Sequence, residues 1–285
     1  MFKSLTPGAI GVKAELKDAL AYAKAGGFQG LDVNIREVAG LVETQGADYV
    51  KDLYEEAGLQ IGTWGLSVAW NGPEEDYKSG LEKLPALARA GASVGATRVC
   101  QWIPSGSDDR KFRENFRWHV DRLKPIAEIL SDHGCYLGLE FLGPQTLRTG
   151  KKYGFIYTIG GMLALGDAVG TGNMGLLLDC WHWYTSLGAI EDLRTLTAED
   201  VVHVHVNDAP SGVSLWDHID NQRAMPSETG VIDLVGFLEI LHEIGYDGPV
   251  TPEPFNQRLR ELPAEQAVRE THEALDKAWK AAGLS

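Results

Sequence analysis

A chain of 285 residues with 44% hydrophobic content can bury a large core, and single α/β barrels reach this length without dividing into domains. Charged residues make up 23% and no polar low-complexity tract appears, which excludes long disordered segments. The net charge of −14 repels a phosphate backbone, because nucleic-acid affinity comes largely from Lys and Arg displacing condensed counterions, so nucleic acid is not an expected partner.

One pattern recurs along the chain. A helix stops at a Gly, which takes the left-handed conformation without a Cβ penalty, and leads into a short continuous apolar run of the kind that forms a buried parallel strand. A first strand is expected at Ala9–Val12, followed by a helix near 14 to 25. AKAGGFQGLDVNI (24 to 35) carries strand two, and EEAGLQIGTWGL (55 to 66), after a helix at 47 to 57, carries strand three. A helix at 77 to 90 leads into ARAGASVGATRVCQWI (88 to 103), strand four. The helix at 112 to 133 has an apolar stripe of Ile126, Ile129 and Leu130 and a kink expected at Pro125, and SDHGCYLGLEFL (131 to 142) follows as strand five. A helix at 158 to 169 and AVGTGNMGLLLDC (168 to 180) give strand six; a helix at 189 to 196 and the β-branched run Val201–Val206 give strand seven. A helix at 234 to 244, HEIGYDGPVTPE (242 to 253) as strand eight, and a helix at 264 to 281 complete the chain.

Eight βα units without a Gly-rich dinucleotide fingerprint favour a closed (β/α)8 TIM barrel over an open doubly wound sheet, with residues 1 to 285 as one domain. Cys100, Cys135 and Cys180 are too few and too widely spaced for a disulfide framework or a CxxC zinc site. With no signal-like N-terminus and no run of 18 apolar residues, the expectation is a soluble cytoplasmic protein without a membrane partner.

A barrel of this kind places its active site at the C-terminal ends of the strands. Four strands end in polar groups: Gly-Leu-Glu140-Phe, Leu-Leu-Leu-Asp179-Cys-Trp-His182, Val-His203-Val-His205-Val-Asn207-Asp208 and Pro-Glu253-Pro. A single such carboxylate is usually a helix cap or a surface ion pair. Glu, Asp, His and Glu together around one mouth would cost several kcal/mol of desolvation unless a cation or dense hydrogen bonding offset it, and a divalent metal is the economical explanation. Three carboxylates and an imidazole form a mostly hard donor set suited to Mn²⁺, Mg²⁺ or Co²⁺, with Zn²⁺ also open.

This order of residues resembles the xylose isomerase-like TIM-barrel superfamily, and within it the sugar phosphate isomerase/epimerase family. The resemblance is carried by strands five to eight, and over the first half of the chain by the βα rhythm alone. It implies that Glu140, Asp179, His205 and Glu253 hold one divalent metal ion, that His182 faces the substrate, and that Arg223, ahead of the Glu-Thr-Gly-Val-Ile-Asp segment at 228 to 233, contacts it. The implied reaction is isomerisation or epimerisation of a sugar, a ketose or sugar phosphate, by proton abstraction beside a carbonyl, through an enediolate that the metal stabilises. Glu140 and Glu253 would alternate as general acid and base, and His182 would donate to a substrate oxygen. A homo-oligomer is also implied.

Other residues are weighed individually. His203 points the same way as His205 but lies one layer deeper, and is expected to be hydrogen-bonded inside the barrel below the metal. Among Trp64, Trp70, Trp102, Trp181 and Trp183, all near strand ends, Trp102 and Trp70 are the pair expected to stack on substrate. Arg148, Lys151 and Lys152 follow strand five on a loop without a backbone-amide cradle, so the sequence does not decide whether the sugar carries phosphate. Three rival functions remain to be compared. A three-zinc nuclease requires early-strand histidines, whereas all eight histidines lie at 119 or later. A lyase or dehydratase of a keto-sugar, keto-glycoside or inosose would use the same ligands, and the long loop at 209 to 228 is compatible with one. A non-catalytic sugar-binding barrel is disfavoured by the filled ligand set.

Overall fold

The structure, a computed structural model, describes residues 1–284. Its barrel strands are β1 (Phe2–Leu5), β2 (Gly30–Leu31), β3 in two pieces (Gln60–Ile61 and Trp64–Gly65), β4 (Arg98–Ile103), β5 (Tyr136–Phe141), β6 (Met174–Asp179), β7 (Val201–Val206) and β8 (Pro249–Pro252). Every pairing between them is parallel. The first piece of β3 pairs with β2 and the second with β4, so the two edges of the sheet belong to one strand and the barrel closes. The break falls at Gly62-Thr63, where the Thr63 amide donates to the Asp32 side chain (2.9 Å) instead of to a neighbouring strand.

Strands β5 to β7 are buried along almost their whole length, as continuous apolar runs between barrel interior and outer helices should be. The helices Ala47–Ala57 and Ala264–Ala281 fall where the sequence places them, and Glu74–Val94 extends the expected span at both ends. The helix Phe112–Ser131 continues through Pro125.

Two expectations are corrected. The first strand is Phe2–Leu5, not Ala9–Val12, and Pro7–Ile10 form a 3₁₀ turn. Lys3 and Ser4 obscure that strand in the sequence, yet both are buried: Lys3 Nζ donates to Asp276 in the last helix (2.7 Å) and Ser4 Oγ to Asp32 (2.9 Å). An unanticipated helix, Ile35–Gln45, lies between β2 and the next helix, and Gly46, at φ 92°, turns the chain between the two.

Candidate metal centre and active site

The strand register brings the polar strand ends to one level. Asp179 at the end of β6 is paired with His205 of β7, Glu140 of β5 lies beside Trp102 of β4, and the Glu253 amide, just past β8, donates to Val206 O (3.0 Å). Glu140, Asp179, His205 and Glu253 each offer a ligand atom, and these atoms all lie within 4.8 Å of one another. His205 Nδ1 is 3.3 Å from Glu253 Oε2 and 3.6 Å from Glu140 Oε1. Both His205 Nδ1 and Glu140 Oε1 are buried without a hydrogen-bond partner, an arrangement that costs free energy unless a further group satisfies them.

The protonation tendencies follow from burial and charge. Burial pushes the Glu140 carboxyl up. Burial opposes ionisation of Asp179 as well, but the Arg223 guanidinium, His182, His205 and the Trp181 amide together outweigh it and hold that carboxyl low. For Glu253 burial is outweighed chiefly by His205 and Arg223, and the result is again low. Burial acts against charge on His205 too, yet Glu253 and Glu140 together raise its pKa well above the ordinary value. A hard donor set concentrating negative charge around two unpartnered atoms fits a divalent cation.

Surrounding groups fix these donors. Asp179 Oδ1 caps the helix Cys180–Thr185 by accepting from the Trp181 amide (2.8 Å), and also accepts from Asn207 Nδ2 (3.1 Å). Arg223 Nη1 donates to Asp179 Oδ2 (2.7 Å) and Glu253 Oε2 (3.1 Å). His182 Nδ1 accepts from the Gly143 amide (3.1 Å), which leaves the ring proton on Nε2, 3.8 Å from Glu140 Oε1. Only glycine fits at 143, since a Cβ there would lie 2.2 Å from His182 O. His203 sits one layer below, bonded through Nδ1 to Thr63 Oγ1 (2.8 Å), and burial pushes its pKa well below that of a free imidazole.

The tryptophans separate. Trp102 stands beside Glu140 and is 50% exposed at the mouth. Trp70 is 3% exposed and packs on Trp118 and His119. Trp64 and Trp183 are also buried, and Trp181 lies beneath the Arg223 guanidinium. Arg148 donates to Gly143 O and Gln145 Oε1, and Lys151 to Asp108.

Three contributors escaped the sequence reading: Gly143, Asp32 and Asp220. Asp32 closes β2 as the other acids close their strands, a signal that was available. It lines a cavity of about 500 Å³ that also touches Thr6, Asn34, Cys100, His203 and His205. Asp220 belongs to an irregular loop and carries no pattern.

A family model described as xylose isomerase-like TIM barrel matches residues 20–278. The chain belongs to that family. Members similar to this chain include an inosose isomerase of Halalkalibacterium halodurans, 24% identical over 257 residues that cover 88% of this chain and 86% of that protein. A ketose 3-epimerase of Arthrobacter globiformis is 28% identical over 224 residues, 73% of this chain and 68% of that one. The solved structure of a xylose isomerase domain protein from Alicyclobacillus acidocaldarius superposes with a TM-score of 0.84 at 29% identity, covering 99% of both chains. The IOLI protein, solved with a bound zinc atom, has the same fold, with a TM-score of 0.78 at 20% identity over 99% of this chain and 98% of that one. Among the described residues no helix is long and apolar enough to cross a membrane.

Proposed function

We propose that this protein is a divalent-metal-dependent isomerase or epimerase of a small sugar or cyclitol ketone. The observation that carries the reading is the convergence of Glu140, Asp179, His205 and Glu253, with two of their buried atoms unpartnered, at the C-terminal end of a family barrel. The inosose isomerase and ketose 3-epimerase relatives support a carbonyl-bearing polyol as substrate.

A cation held by those four residues would polarise the substrate carbonyl and acidify the neighbouring C–H. The chain's own groups do the rest. Glu140 and Glu253 reach the site from strands three places apart in the ring, so one carboxylate takes the proton from carbon while the other stands ready to return one. The electron pair left on carbon moves to the carbonyl oxygen. Return of a proton to the opposite face of the same carbon gives an epimer; return to the former carbonyl carbon, with the neighbouring hydroxyl passing its proton to the former carbonyl oxygen, gives an isomer. His182 Nε2 and Arg223 Nη2 lie 3.4 Å apart; because Nδ1 already accepts from Gly143, both groups act as donors and cannot bond each other. They share instead one acceptor, the substrate oxygen on which charge develops.

The test is deuterium incorporation from D₂O into a panel of ketoses and inositol ketones, followed by NMR with Mn²⁺-loaded protein. Exchange beside the carbonyl with a new epimer or isomer is expected, and Glu253→Gln should slow it by about 10²- to 10⁴-fold. Exchange accompanied by a dehydrated or cleaved product would make the protein a lyase using the same site. Metal binding with no exchange across the panel would favour a non-catalytic barrel.

A further inference from the structure

Asp220 is not among the candidate metal ligands, yet it touches both donors that face the substrate oxygen. Its main-chain oxygen accepts from Arg223 Nε (2.8 Å), its Oδ1 accepts from Arg223 Nη2 (3.0 Å), and the same Oδ1 is 3.7 Å from His182 Nε2. Asp179 and Glu253 hold the opposite edge of the guanidinium through Nη1. A planar fork gripped on both edges cannot turn about its last bonds. With one Nη2 hydrogen committed to Asp220, the other is left on the side of the guanidinium that lies beside His182 Nε2, free for the acceptor the two donors would share.

The segment carrying Asp220 is itself anchored. Thr146 Oγ1 donates to His218 O (2.7 Å), the His218 ring packs on Trp181 and Tyr184, and the Asp208 and Ala224 backbones exchange both their hydrogen bonds (3.0 and 2.8 Å). The Asp220 side chain remains 28% exposed, whereas those of Arg223 and His182 are 1% exposed. It therefore reaches the site from the solvent side.

From this geometry we infer that Asp220 is a positioning residue, which aims Arg223 and His182 at the substrate oxygen and takes no part in holding the metal. The substrate half of this inference rests on the isomerase reading above; the grip on Arg223 does not.

Asp220→Asn and Asp220→Ala test it, with Mn²⁺-loaded wild type as reference. Exchange of the Arg223 side-chain N–H protons with water, followed by ¹⁵N NMR and assigned with Arg223→Lys, should accelerate about tenfold or more in Asp220→Ala, as one charge-assisted hydrogen bond is lost. On the substrate found by the deuterium panel, kcat should fall about 10- to 100-fold with KM within about threefold, Asn falling between wild type and Ala. Mn²⁺ affinity should stay within about threefold. Unchanged Arg223 exchange overturns the inference, as does Mn²⁺ affinity that falls in step with activity, or a lowered thermal midpoint with kcat intact. If wild type turns over nothing on the panel, the N–H exchange and Mn²⁺ titration still decide the role of Asp220, and the isomerase reading alone has failed.

Discussion

His203 and His205 are two residues apart on β7 and point the same way, yet their surroundings differ in kind. His205 Nδ1 faces Glu140 and Glu253 without a hydrogen bond, whereas His203 Nδ1 is satisfied by Thr63 Oγ1. A ligand and its support should therefore respond differently to removal. His205→Ala is expected to weaken Mn²⁺ binding by about 100-fold or more, and His203→Asn by about tenfold at most, as measured by calorimetric titration. At this scale the sequence was most legible where a polar residue closes an apolar strand, as at Glu140 and Asp179. It was least legible for groups that act through the chain's return to the site. Gly143 matters because its amide meets His182, and Asp220 because a loop folds it onto Arg223; neither meeting leaves a periodic trace.

The first three strands are joined by a side chain as well as by their ladders. Asp32 at the end of β2 accepts from Ser4 and Thr6 at β1, from the Thr63 amide in the gap of β3, and from Thr251 of β8. Burial pushes its carboxyl above the usual range while these donors pull the other way. Gly62 leaves the room for this hub: a Cβ there would stand 2.0 Å from Asp32 Oδ1. Gly62→Ala is expected to destabilise the fold by about 2 kcal/mol in urea unfolding, because the hub must shift to admit the methyl group. No loss of stability would show that the closure of β3 tolerates such a shift. The same hub explains the error over β1. Sequence periodicity ranks Lys3 and Ser4 as solvent-facing, and only their partners, Asp276 and Asp32, make them interior residues.

Across the whole molecule the barrel ends are tied by contacts of very long sequence separation. Lys3 in the first strand pairs with Asp276 in the last helix, 273 residues away, and Lys280 shares the same carboxylate. Lys280 first and Lys3 second pull the Asp276 pKa down to about 2 from 3.8. A carboxyl lowered on folding stabilises the native state above its unfolded pKa, and that contribution is lost as pH falls from near 4 toward 2. The difference in urea midpoint between wild type and Asp276→Asn should accordingly narrow as pH drops through this window; a constant difference would mean that the ion pair is not the source. The βα alternation, the position of the mouth and the strand order were readable because they rest on local signals repeated along the chain. A closed barrel was likewise expected; what left no local signal is where it closes, since that depends on β3 splitting its pairing between two neighbours at Gly62-Thr63.

The claim on which the functional reading stands is that Glu140, Asp179, His205 and Glu253 form one cation site. Titrating metal-stripped protein with Mn²⁺ in a calorimeter tests it most directly, with Asp179→Asn measured alongside. One ion per chain, with binding lost in Asp179→Asn, is the expected result; no saturable binding, or binding that survives the substitution unchanged, would contradict it.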